Sequence, residues 1–239
     1  NYYATQIIRS DSTVFVMGRN NWGQLGDNTT TYRSNPIQIN TNIPNVITTF
    51  TAAVGNGIPR NAPIVLTQSN TLYLWGWNSD GQLGLSDTIY RSSPVQVGTA
   101  KSWSLVAAGA NHTVATATDY SVWSWGQNIQ GQLGDNSIVS RSSPVQITAI
   151  TTKSDQDAYL AIVGGTAGSW SQISIGSSHV LALRSDGSLW TWGSNIFGQL
   201  GDGTTVTKPF PIKIGTSSWS SVSAGYTHTL AIRTDSSLW

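Results

Sequence analysis

The stretch Gly23-Gln24-Leu25-Gly26 returns unchanged as Gly81-Gln82-Leu83-Gly84, Gly131-Gln132-Leu133-Gly134 and Gly198-Gln199-Leu200-Gly201. Each copy follows a pair that ends in glycine: Met17-Gly18, Trp75-Gly76, Trp125-Gly126 and Trp192-Gly193. After each copy come a polar stretch and a proline-led apolar run, at Pro36–Ile39, Pro94–Val97, Pro144–Ile147 and Pro211–Ile214. The pair glycines lie 58, 50 and 67 residues apart. A period of this size marks one supersecondary unit written several times. Such a unit buries its apolar face only by stacking on a neighbour.

The third unit shows the local grammar. Ser104–Ala107 leads into the turn Ala108–Asn111, and His112–Thr118 then alternates apolar and small polar residues with the period of a half-buried strand. Asp119-Tyr120 turns the chain into Ser121–Trp125, rich in β-branched and aromatic residues. Pro144–Ile147 supplies the last strand, with proline placed first, where its missing N–H is tolerated. The same hairpin recurs as Thr5–Ile8 with Val14–Met17, Ile64–Leu66 with Leu72–Trp75, His179–Leu183 with Leu189–Trp192, and His228–Ile232 with Leu238-Trp239. Asp186-Gly187 is a strong hairpin turn. Helical patterning is confined to the short stretch Asp155–Ile162.

Four short strands in about 50 residues, repeated with Gly and Trp markers, predict an all-β chain built as a β-propeller of four-stranded antiparallel blades. The units run approximately 1–57, 58–108, 109–175, 176–224 and an incomplete 225–239. Ser220–Ile232 and Asp186–Gly203 resemble the repeats of the regulator-of-chromosome-condensation family, in a bacterial-type or environmental form, over nearly the whole chain. The resemblance implies seven blades around a central channel. Four repeats plus one extra hairpin fall short of that number, and the opening Asn1-Tyr2-Tyr3 has no initiator Met. The expectation is therefore an ordered portion of a larger, seven-bladed ring.

Charged residues make up 10% of the chain and the net charge is +1, against roughly 25% charged in ordinary soluble domains. No global field gathers nucleic acid or acidic membrane. There is no cysteine, and no apolar run approaches 18 residues. Low charge and a Ser/Thr/Asn-rich surface favour an extracellular or cell-surface setting.

Repetition assigns most conspicuous residues to structure. The glycines of the four loops read as tight-turn positions, the leucine as a plug between blades and the glutamine as a buried amide tying down loop backbone. No Lys-Ser/Thr follows these loops, so they are not nucleotide cradles. Trp75, Trp125 and Trp192 are expected to be buried within or between blades. His112, His179 and His228 share one repeat position in different blades. They read as neutral imidazoles bridging backbone groups rather than as a zinc site. Asp27, Asp135 and Asp202 follow the loops and read as Asx turns rather than calcium ligands. Arg33, Arg91, Arg141 and Lys208 read as partners of an ion pair or of loop carbonyls. No hydrolase elbow is present, and Asp119, Asp155 and Asp157 form no evident acid pair. No enzyme activity, metal or cofactor is expected.

Function on a repeat scaffold gathers in what is not repeated. Two such segments stand out, Asn40–Arg60 and Thr151–Trp170. Lys153, Asp155, Asp157 and Tyr159 in the second are candidate contact residues for another protein. Trp170 has counterparts at Trp103 and Trp219 and reads as an inter-blade residue. The leading expectation is a noncatalytic protein-interaction or structural module of a larger, secreted or surface protein. Its partner is another protein or further blades of the same chain. The family resemblance implies an alternative, nucleotide exchange or regulation on a small GTPase. An enzyme inhibitor, or carbohydrate binding through Tyr32, Tyr90 and Trp170, is a third.

Overall fold

Register is set hairpin by hairpin. The computed structural model describes residues 4–39, 43, 46–50, 62–147 and 170–239. β1 (Ala4–Ile8), β2 (Val14–Gly18) and β3 (Arg33–Gln38) form a three-stranded antiparallel sheet. β4 (Val46–Phe50), β5 (Ile64–Thr67), β6 (Leu72–Gly76) and β7 (Arg91–Val97) form the second sheet in chain order. The third holds β8 (Trp103–Ala108), β9 (His112–Ala117), β10 (Val122–Gly126) and β11 (Arg141–Gln146). The fourth holds β12 (Trp170–Ile175), β13 (His179–Arg184), β14 (Leu189–Gly193) and β15 (Lys208–Lys213). β16 (Trp219–Ala224) and β17 (Thr229–Arg233) pair alone, and an isolated bridge joins Ile232 to Leu238. The helix expected at Asp155–Ile162 lies outside the described residues.

The expected seven-bladed ring of uniform four-stranded blades is corrected by this topology. The described residues form five separate antiparallel sheets, with three, four, four, four and two strands, and none closes on itself. The strand ladders run within each meander, while successive sheets meet through side chains and through single loop bonds such as Asn28 N–H to the Ser92 carbonyl at 2.8 Å. One apolar cluster joins the first and second sheets through Val16, Leu25 and Trp75. Another joins the second and third through Leu74, Trp103 and Trp125. The third and fourth share Val114, Ile175 and Trp192, and the fourth and fifth share Leu183, Trp219 and Val222. The result is a sequential run of blade-like sheets.

The proline expected to open the last strand of each unit sits inside it. In the third sheet Gly126 pairs with Arg141 and Ser124 with Val145, so Pro144 falls in a bulge where the register slips. The first, second and fourth sheets slip at the same place, before Gly18, Gly76 and Gly193. A bulge leaves residues outside the ladder, so a missing N–H costs nothing there.

Candidate interaction surface

The long loop before the last strand of each of the first four sheets is organised by an asparagine that no sequence motif singled out. Asn20, Asn78, Asn128 and Asn195 are fully buried. The Asn128 oxygen accepts from the Leu133 N–H at 2.9 Å, and its amide reaches the Asp135 carboxylate and the carbonyls of Ser137 and Val139. The other three repeat this set, on Leu25, Leu83 and Leu200 and on Asp27, Asp87 and Asp202. The available signal was an Asn placed three residues before the first glycine of every loop. The Gln24, Gln82, Gln132 and Gln199 side-chain oxygens each accept the N–H two residues back, at 2.8–2.9 Å.

The carboxylate at the loop centre makes an Asx turn and an ion pair. Asp135 accepts from the Ser137 N–H at 3.1 Å and meets Arg141 at 3.1 Å. Asp27 does the same with Thr29 and Arg33, and Asp202 with Thr204 and Lys208. In the second loop, where Leu85 replaces the aspartate, Asp87 takes over two residues later and pairs with Arg91 at 2.5 Å. For Asp27, burial opposes ionisation, but hydrogen bonds from Thr29, Arg33 and Asn20 outweigh it and lower the pKa. Among the described residues no group of three His, Asp or Glu side chains could hold a metal ion.

Trp75, Trp125 and Trp192 are buried. Their indole N–H groups donate backward to the main-chain oxygens of Gln24, Gln82 and Gln132 in the preceding loop, at 3.2, 2.9 and 3.1 Å. The last glycine of that loop lies flat under the ring. A Cβ at Gly26, Gly84 or Gly134 would stand 2.6–2.8 Å from the indole nitrogen. Trp170 is buried in β12, so it offers no face to a sugar.

The histidines diverge. His112 and His179 are completely buried, whereas His228 is exposed. The backbone bridging expected for these imidazoles is not what holds His112, whose two ring nitrogens make no hydrogen bond. It packs against Gly109 instead, where a Cβ would stand 2.6 Å from the ring. His179 Nε2 lies 3.3 Å from Thr229 Oγ1. Burial, with a smaller contribution from His179, pushes the His112 pKa down to about 3. Burial likewise lowers His179 to about 4.

Lys153, Asp155, Asp157 and Tyr159 lie outside the described residues. Several of the exposed apolar residues are on the repeat loops themselves. Ile89, Ile129, Ile138, Ile196, Phe197 and Val206 are all exposed, and all lie between a third and a fourth strand, at one end of their sheets. Beside them is an aromatic group joining the first two loops. Trp22 meets Trp77 edge-on at 4.6 Å, Tyr90 stacks on Trp77 at 4.7 Å, and the Arg19 guanidinium covers Trp22 at 4.8 Å. Among the described residues no helix is long and apolar enough to cross a membrane.

Comparison with known proteins matches this architecture. The chain is 31% identical over 213 residues to the ultraviolet-B receptor UVR8 of Arabidopsis thaliana, covering 87% of this chain and 43% of that protein. It is 33% identical over 118 residues to the X-linked retinitis pigmentosa GTPase regulator of Mus musculus, covering 48% of this chain and 11% of the relative. The chain thus spans less than half the length of these relatives, which come from a plant and a mammal rather than from bacteria. Yeast RCC1 (Prp20), solved with Kap60 bound to it, superposes with a TM-score of 0.72 at 23% identity, covering 98% of this chain and 53% of that one. The extracellular setting expected from composition is corrected by this kinship with a Kap60-bound protein. The sequence profile of the regulator of chromosome condensation (RCC1) repeat matches residues 11–57, 69–116, 121–183 and 186–232. With that match across most of its length and the same loop geometry in every unit, the chain belongs to the RCC1 repeat family.

Proposed function

We propose that this noncatalytic repeat module regulates a small GTPase by binding it through the loop end of its sheets. The observation that carries the reading is the set of exposed apolar tips, Ile129, Ile138, Ile196, Phe197 and Val206, held on loops that the buried Asn128 and Asn195 tie down by hydrogen bonds. Exposed apolar residues on rigid supports are what a protein interface needs, because little ordering entropy is lost on contact. The nature of the partner is taken from relatives named as GTPase regulators in mouse, dog and human.

The test is a binding titration against purified small GTPases in GDP-bound, GTP-analogue-bound and nucleotide-free states, with release of a fluorescent GDP followed in parallel. The expected result is nucleotide-state-dependent binding that Phe197→Asp weakens at least tenfold while the melting temperature holds. Absence of binding in all three states rejects the reading.

A further inference from the structure

One seam between loops departs from the repeat. Trp22, from the loop of the first sheet, meets Trp77 from the loop of the second edge-on at 4.6 Å between ring centres, and Tyr90 stacks on Trp77 at 4.7 Å. At the same three positions the next seam holds Asp80, Gln127 and Ser140, and there the Gln127 amide donates to the Asp80 carboxylate at 3.3 Å. The loop fold does not demand the aromatic set, because Asn78 and Asn128 organise the second and third loops alike. Nor do these rings belong to the core. Trp22 and Trp77 are half-buried and Tyr90 is 41% exposed.

The polar groups around the rings are mostly donors. Trp75, Trp125 and Trp192 each spend the indole N–H on a main-chain oxygen. Among the described residues, the Trp22 indole N–H, the Tyr90 hydroxyl and the Asn21 side-chain NH2 donate to nothing. The Asn21 side-chain oxygen is taken twice, by Arg19 Nε at 2.7 Å and by the Tyr32 hydroxyl at 2.5 Å. The Arg19 guanidinium lies over Trp22 at 4.8 Å, which disfavours a second cation there. The matching ligand has apolar rings, free acceptors and no positive charge.

We propose that this seam binds a proline-rich segment of a partner polypeptide in the polyproline II conformation. Such a segment makes no internal hydrogen bonds, so its carbonyls are free to accept from the Trp22 and Asn21 N–H groups and from the Tyr90 hydroxyl. Its proline rings pack on the aromatic faces, and its shape is set before binding, so little entropy is lost. One turn, three residues rising about 3.1 Å each, covers about 9 Å, enough to cross all three ring centres. A sugar fits less well, because its hydroxyls need acceptors as well as donors and the Asn21 oxygen is already occupied. The site lies on the first two loops and is independent of the GTPase reading, which rests on the third and fourth.

The probe is a fluorophore-labelled, blocked decaproline, titrated by fluorescence anisotropy and challenged with unlabelled decaproline, a blocked Gly-Ser decapeptide or maltohexaose. Tyr90→Ser gives the second loop the residue that the third carries at Ser140, so the variant keeps a loop sequence that folds. Phe197→Asp, on the surface of the GTPase reading, is the control. The expected result is saturable binding to the native chain and to F197D, and at least fivefold weaker binding to Y90S at an unchanged melting temperature. Only unlabelled decaproline displaces the probe. Absence of binding to the native chain, equal binding to Y90S, weakened binding to F197D, or displacement by maltohexaose or the Gly-Ser peptide as effective as by decaproline overturns the proposal.

Discussion

The indole N–H of Trp125 donates to the main-chain oxygen of Gln82, 2.9 Å away and 43 residues earlier in the chain. This bond ties the third sheet to the loop of the second, while the ring fills the cluster shared by Leu74, Leu83 and Trp103. Truncation therefore removes both packing and a polar anchor. Trp125→Ala should lower unfolding free energy by about 3–5 kcal/mol. Trp125→Phe, which keeps much of the ring, should cost distinctly less. Urea denaturation of both variants checks the order, and equal losses would show that volume plays no part.

Asn128 should be as demanding as a core residue despite being polar. Asn128→Ala releases the Ser137 and Val139 carbonyls and leaves the buried Leu133 N–H without its acceptor, at about 1–3 kcal/mol for a buried group left unpaired. Asn128→Asp should be worse still, since it sets a second carboxylate against Asp135. Denaturant midpoints of the two variants, beside exposed Ile129→Ala as a control, test this.

Acid should weaken the fold in two stages. His112 and His179 have pKa values of about 3 and about 4 in the folded chain against an ordinary 6.5. The unfolded chain therefore binds more protons between those limits. Their stabilising contribution is complete above pH 6.5 and falls as pH drops toward 4, by about 1.4 kcal/mol per pH unit for each imidazole. The lowered aspartates, Asp27, Asp87 and Asp202, add a second loss below their ordinary value of 3.8. In His112→Asn the slope between pH 6.5 and 4 should fall by about half, as measured by urea midpoints across that range.

The loop ion pair should be unequal in its two halves. Arg141 is 39% exposed in its side chain and Asp135 only 5%. The arginine faces a solvent-screened pair, so Arg141→Met should cost no more than about 1 kcal/mol. Asp135→Ala also removes the Asx turn and the acceptor for Asn128 and should cost more. A double-mutant cycle in low and high salt separates the charge pair from the turn.

Much of the architecture was legible in the chain itself. Period-two alternation in His112–Thr118 and turn residues at Asp119-Tyr120 marked a hairpin because strand and turn chemistry are local. Four copies of one loop marked the repeat. Asn128 was missed although it recurs, since an asparagine beside glycine resembles any turn residue until its partners nine and eleven residues on are seen.

The sequence by itself determined the all-β class, the repeated hairpin and the shared identity of the four loops, all of which follow from neighbours along the chain. Only the tertiary structure decided how many strands each sheet holds, that Pro144 sits in a bulge, and that His112 is buried while His228 is exposed. It also decided that Trp75, Trp125 and Trp192 each cover the last glycine of the preceding loop. Each of these depends on which sheet comes to lie against which loop, and a residue's local sequence is the same whether or not a neighbour arrives to cover it.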